Sequence, residues 1–291
     1  MTTNVSSHES ATLDMPFPRL SEGRFSSCTL ITDDALYAAT GVRVGFTQRT
    51  GGASLAPYDS LNLGGHVGDD PVHVGQNKAT LLAALGAADA FCIQPHQVHG
   101  DVIVTCRDAR DAEECADRAA QGADGVVVAC PDTAALLCFA DCVPVIVVAP
   151  TGAFAVVHAG WRGVVARIAE KAVARLCEEE GVAPSQLNVY IGPHIRSCHF
   201  EVGAEVAQVF SDEFGDEVVL PGPFVDMAKA LRAGLRACGV DADRIVDAQA
   251  CTVCDAGRRY YSYRASKGCC GRHAAVAVRV SDDARRADPW L

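Results

Sequence analysis

Basic residues are the scarce class in this sequence. The 25 Lys and Arg stand against 36 Asp and Glu, for a formal net charge of −11. A chain this acidic lacks the clustered cations that neutralise a nucleic-acid backbone, so no nucleic-acid partner is expected. A local cationic spot for a small anion remains open. Long apolar runs are missing as well. The longest uncharged stretch, Cys142 to Trp161, is interrupted by Pro150-Thr151-Gly152 and carries His158. It reads as two short strands rather than a span, and no membrane partner is expected. Met1 to Gly23 shows no basic start followed by an apolar core, so it reads as no secretory signal and the expected location is cytoplasmic. Internal repeats, low-complexity tracts and Pro/Ser linkers are absent. So are the Rossmann G-x-G-x-x-G, Walker A, H-E-x-x-H and G-x-S-x-G signatures, which removes the usual markers of dinucleotide, P-loop, zincin and α/β-hydrolase chemistry.

What is present is a chain of 291 residues, 49% hydrophobic, enough to bury a substantial core. It contains 14 cysteines. Without a signal these read as mostly reduced, with Cys106, Cys177 and Cys238 in apolar patterns as small core residues. Strand-like runs recur at 42–46, 101–105, 125–129, 143–148, 153–157, 187–191 and 274–278. Continuous apolar runs of this length suit strands buried on both faces. Helical patterns lie at 77–85, 163–180, 203–214 and 225–238; in the second, Val164, Ile168, Ala172 and Leu176 repeat four apart. Two strands often follow one another before a helix. This order predicts an α/β fold of one domain, with mixed β-sheets layered against outer helices. The expected boundaries are a flexible N-terminal tail over 1–23, a compact catalytic domain over 24–280 and a C-terminal tail over 281–291.

Three segments carry chemistry: Gln97-Val-His99-Gly100, Ala140-Asp141-Cys142-Val-Pro144 and His158-Ala-Gly160-Trp-Arg162-Gly163. Each places a His or Cys at a strand end, where sites collect in α/β folds. Two imidazoles and a thiolate form an N₂S donor set suited to zinc or copper, with a fourth position open. Spacing alone equally permits Cys142 as a nucleophile with His99 or His158 as its base. The helix expected to open near Gly163, together with Arg162, makes an anion seat, and Arg49 beside Gly51-Gly52 is a weaker one. The stretch Leu61-Asn62-Leu-Gly64-Gly65-His66 reads as a glycine-rich loop near a site. His199-Phe-Glu201 followed by Cys251-Thr-Val-Cys254 imitates the zinc-deaminase pattern, with Ala250 where that pattern has Pro. The Cys251/Cys254 pair also reads as a redox pair or half of a structural zinc site, and Cys269-Cys270 lies nearby.

Taken in order, these segments, with Phe46-Thr-Gln-Arg49-Thr-Gly-Gly, Ile191-Gly-Pro193, Cys198-His-Phe-Glu-Val-Gly203 and Tyr260-Tyr-Ser-Tyr-Arg264, resemble the YfiH family, also called the laccase-domain or polyphenol-oxidase-like family. The similarity runs from about residue 45 to 280. It implies a mixed α/β fold and one mononuclear metal site, usually zinc with copper as the alternative, at His99, Cys142 and His158. It further implies a purine nucleoside enzyme. The reactions are phosphorolysis of adenosine, inosine, guanosine and methylthioadenosine, and hydrolytic deamination of adenosine, with a small-molecule nucleoside and phosphate as partners. In that reading Arg49 and Arg162 hold the phosphate dianion, Asp141 or Glu201 carries a proton, and Asn62, His66 and Glu201 meet the substrate. Editing of a peptidoglycan precursor at the same metal site is the alternative. Copper-dependent polyphenol oxidation ranks last, because a single N₂S site cannot form a multicopper array and the chain has nine His in all. After Arg264 the sequence departs from the family pattern with Ala265-Ser-Lys-Gly-Cys-Cys-Gly-Arg272, and Phe200 stands where a Tyr is common.

Overall fold

The computed structural model describes residues 15–281. The apolar runs become two six-stranded mixed sheets. From edge to edge, the first is Ser21–Phe25, Cys28–Thr32, Val42–Thr47, His273–Arg279, Thr133–Phe139 and Phe91–Ile93. The second is Ile245–Asp247, Asn188–Ile191, Val143–Val148, Phe154–Ala159, Gly125–Val128 and Ile103–Cys106. Most neighbours are antiparallel. The exceptions are Phe91–Ile93 on Thr133–Phe139, Asn188–Ile191 on Ile245–Asp247, and Ile103–Cys106 on Gly125–Val128.

The strand Val143–Val148 shows why these runs carry no polar alternation. Val143, Val145 and Val147 pack with Ile168, Ala172, Leu176, Leu231 and Leu235 on the outer helices Ile168–Glu180 and Met227–Ala237. Ile146 and Val148 point the other way, against Val44, Phe46, Leu137 and Ala275 of the first sheet. Successive side chains alternate faces, and here both faces are dry. Each such Val contributes about 1.5–3 kcal/mol of burial. The far face of the first sheet, with Leu30, Leu136 and Val276, is covered by Leu81, Leu82 and Leu85 of and just beyond the helix Pro71–Ala84. The result is four layers, helix–sheet–sheet–helix.

Several details differ from the sequence expectation. The described residues begin within the expected tail, with Met15 buried and the strand Ser21–Phe25 hydrogen-bonded to Cys28–Thr32. Residues 1–14 and 282–291, the rest of the two expected tails, lie outside the described residues. The helix expected over 77–85 starts earlier, because the Asp70 carboxylate caps the Val72 N–H and Pro71 occupies the first position. The helix expected over 163–180 is two helices, Trp161–Val165 and Ile168–Glu180, separated by Arg167 at φ +62°. Helices Asp34–Thr40 and Ala112–Ala120 were not expected at all. Their apolar faces are short and rich in Ala and Cys, which weakens the periodic signal.

Candidate metal centre and its cavity

Three chain segments deliver the donor atoms. His158 sits in the strand Phe154–Ala159, where the antiparallel register sets Pro144 opposite His158 and Val143 opposite Ala159. Cys142, one residue before the strand Val143–Val148, therefore falls across from Gly160. His99 comes from the loop between Phe91–Ile93 and Ile103–Cys106 and adopts φ +60°. The ligand atoms of His99, Cys142 and His158 all lie within 4.8 Å of one another.

Asp124, just before the strand Gly125–Val128, builds this geometry from behind. It is fully buried. Its carboxylate accepts from the backbone N–H groups of Val98 (3.2 Å), His99 (3.0 Å) and Gly100 (2.7 Å). It also meets His158 Nδ1 at 2.8 Å. One carboxylate thus holds the His99 turn in its left-handed conformation and orients the His158 ring, leaving Nε2 for the centre. Gly160 supplies the space. A Cβ there would stand 3.3 Å from His99 Cδ2 and 3.4 Å from Cys142 Sγ. Sequence reasoning missed Asp124. Its signal was an acidic residue at the mouth of the apolar run 125–129.

The charges couple the two buried ligands: the Cys142 thiol is acidified while His158 holds on to a proton that a metal ion would have to displace. Burial pushes the Cys142 thiol up, but His158 and His99 outweigh it and bring it down to about 6. Burial alone would lower His158; the facing Cys142 and Asp124 raise it to about 9. The same environment holds Asp124 below its ordinary range, because its hydrogen bonds to His158 and the backbone overcome its burial. Donor set, fixed tautomer and the Gly160 cradle together fit a borderline metal ion.

The triad lies in the wall of a cavity of about 940 Å³. Asp141 and His66, both expected at the site, line it too. Asp141 is held at φ +101°, and its two oxygens accept from Thr252 Oγ1 (2.6 Å) and the Arg264 N–H (2.7 Å). His66 meets His96 edge to face, 5.3 Å between ring centres. The structure does not bring Arg49, Asn62, Arg162 or Glu201 to the wall. Arg49 pairs with Asp59 and lies over the Tyr261 ring. Arg162 is exposed and stacks on Trp161, and Gly163 lies inside a five-residue helix, so the expected anion seat does not form there. Asn62 is fully buried and tied to Gly64, Asp69 and the Arg272 N–H, which makes it the brace of the glycine loop. Glu201 is exposed beside the hairpin strand Phe224–Val225.

The cations on the wall are instead Lys78, Arg264 and Arg272. Among the described residues none of the three side chains has a carboxylate partner. Arg264 donates to the carbonyls of His199 and Glu201, and Arg272 to those of Cys270 and Gly271. Sequence reasoning passed over Lys78 and Arg272 because each stands alone in its segment and only the fold gathers them.

The family described as multi-copper polyphenol oxidoreductase laccase matches residues 43–280. A relative named purine nucleoside phosphorylase YlmD, from Geobacillus stearothermophilus, is 35% identical over 82% of this chain and 90% of its own. A purine nucleoside phosphorylase from Deinococcus radiodurans is 36% identical over 79% and 87%. Among solved structures, the hypothetical protein YfiH of Bacillus licheniformis superposes with a TM-score of 0.79 at 28% identity, over 88% of this chain and 97% of that one. These likenesses place the chain in the multi-copper polyphenol oxidoreductase laccase family, among its YfiH and YlmD relatives.

Proposed function

We propose that this chain is a metal-dependent purine nucleoside phosphorylase whose metal is zinc. The observation that carries the reading is the combination of the His99–Cys142–His158 triad with three cations lacking carboxylate partners on one cavity wall. Inorganic phosphate is the dianion such a wall suits, and a cationic cavity in a chain of net charge −11 concentrates anions where they react. The relatives' printed names support the same reaction.

In this reading Arg264, Arg272 and Lys78 hold the phosphate in place of Arg49 and Arg162. A phosphate oxygen attacks C1′ of the ribose, the C1′–N9 bond breaks, and the purine leaves with the bond's electron pair as its N7 takes a proton. His66 and His96, side by side on the wall, are positioned to supply that proton. Asp141 has both oxygens occupied by donors, so it acts as a positioning residue for Arg264 rather than as a proton carrier. His99, Cys142 and His158 would hold the zinc ion, which would supply Lewis-acid chemistry at the cavity wall. In the second expected reaction, hydrolytic deamination of adenosine, water would add at C6, the C6–N6 bond would break and the amino group would leave as ammonia after taking up a proton.

The test is an incubation of protein of known metal content with adenosine, with and without phosphate, read by chromatography. Adenine and ribose 1-phosphate appearing only with phosphate support phosphorolysis, and inosine without phosphate supports deamination. Cys142→Ala should lose the metal of this centre and at least about 100-fold in activity. Wild-type protein with the centre loaded and no turnover of any purine nucleoside would overturn the reading and shift attention to cell-wall precursors.

A further inference from the structure

The pattern His199-x-Glu201 with Cys251-x-x-Cys254 takes no part in the cavity chemistry, yet the fold brings its donors together. The turn holding Cys198 and His199 lies against the loop holding Cys251 and Cys254, joined by the Thr252 N–H to the His194 carbonyl. Cys198 Sγ is 3.6 Å from Cys251 Sγ and 3.8 Å from Cys254 Sγ. His199 Nδ1 is 3.2 Å from Cys198 Sγ, 3.7 Å from Cys251 Sγ and 3.6 Å from Cys254 Sγ. The four atoms all lie within 4.8 Å of one another.

These are the edges of a tetrahedron. With zinc bonds of about 2.3 Å to sulfur and about 2.0–2.1 Å to nitrogen, a regular site has S···S edges of about 3.8 Å and S···N edges of about 3.5 Å. Five of the six edges have measured values near these. A disulfide would need about 2.05 Å between sulfurs, far shorter than either sulfur pair here. The backbone N–H groups of Arg196, Val253 and Cys254 face the Cys251 sulfur and offset its burial, which favours a thiolate ligand. In the deaminase pattern a His and two Cys leave the fourth position to water. Here Cys198 fills it, so the coordination sphere is closed.

We propose that Cys198, His199, Cys251 and Cys254 bind a second zinc ion, as a structural Cys₃His site independent of the His99–Cys142–His158 centre. As the ion enters, the three thiols give up their protons to solvent and bind as thiolates, while His199 binds as neutral imidazole. The ion would staple two loops that build the cavity wall. Phe200 follows one ligand turn, and Arg264 follows the other and donates to the His199 carbonyl.

The experiment loads reduced full-length protein with zinc chloride, desalts it, and counts metal by mass spectrometry. Wild type should hold two zinc ions per chain, one for each donor cluster. Cys254→Ser and His99→Ala should each hold about one. Cobalt(II) in His99→Ala should give the intense near-ultraviolet thiolate charge-transfer band and tetrahedral visible bands of a three-thiolate site. This variant keeps the test decisive if Cys254→Ser does not fold. His99→Ala protein that retains no metal would overturn the proposal, as would a disulfide linking Cys198, Cys251 or Cys254 in peptide maps of the zinc-loaded protein. Because the two variants empty different clusters, failure of the catalytic centre to bind zinc is told apart from failure of this one.

Discussion

Asp124 has more influence on the centre than any residue outside the triad. It holds the left-handed His99 turn through three N–H groups and fixes the His158 tautomer through Nδ1. Asp124→Asn keeps the volume but removes the charge, and one face of the amide presents N–H to N–H. Metal affinity at this centre should fall by about 10–100-fold, measured by chelator competition, with the fold intact by circular dichroism. Unchanged affinity would reduce Asp124 to a loop brace. The three donors were legible in the sequence as candidates, because each His or Cys stands beside Gly or Pro at the end of an apolar run; spacing left Cys142 equally open as a nucleophile, and only the fold brings the three together. Asp124 was not, since its partners are backbone groups 24–26 residues away and no local spacing encodes them. The cavity cations were hidden for a related reason. Lys78 lies far along the chain from Arg264 and Arg272 and only the fold sets the three on one wall, whereas Arg49 and Arg162, also inside motifs, turn out to serve Asp59 and Trp161.

At the scale of elements, most of the central strands were legible because both of their faces are buried and the apolar runs are unbroken, but the interior strand Thr133–Phe139, equally buried, was not expected. The edge strands Phe91–Ile93 and Ile245–Asp247, three residues each, leave too little pattern to read. Gly192, in the motif Ile191-Gly-Pro193, shows what a motif glycine does between elements. It follows the strand Asn188–Ile191, and an added Cβ would collide with Cδ1 of the Phe46 ring in the first sheet and stand 2.8 Å from its Cγ. Its φ lies outside the left-handed region, so close approach rather than backbone freedom demands glycine. Gly192→Ala must push the two sheets apart or turn the Phe46 ring, neither of which a close-packed interior accommodates freely. The expected cost is about 1–3 kcal/mol, read as a lower denaturant midpoint. Metal content should be retained, because the triad is held by Asp124 and by the strand register. A midpoint equal to wild type would mean that the sheets shift more freely than their packing indicates.

For the whole molecule, the acid side of the stability curve follows from histidines buried without charge. His273 begins the strand His273–Arg279 in the first sheet and stacks on Tyr261. Burial, helped by the adjacent Arg272, pushes its imidazole down to about 3. His194, tied through Nδ1 to the Gly192 carbonyl, is also pushed down, first by burial. In the unfolded chain both titrate near 6.5. Above that pH neither state carries the proton and stability is indifferent to these groups. Below it the unfolded chain takes up protons that the folded chain refuses, so stability falls with pH until His273 itself titrates near 3. Each such histidine contributes a slope of up to about 1.4 kcal/mol per pH unit. Between pH 6.5 and 5, a range mostly above the carboxylate titrations, His273 alone should remove about 1.6 kcal/mol. Urea unfolding of wild type and His273→Gln at those two pH values isolates this contribution from His158 and Cys142, whose titrations are common to both proteins. The variant will be less stable at pH 6.5, because a buried amide replaces a packed ring, but its stability should fall less on acidification by that amount. Equal losses in the two proteins would place the His273 proton equilibrium near its unfolded value, and burial in the layered core would then not exclude the charge.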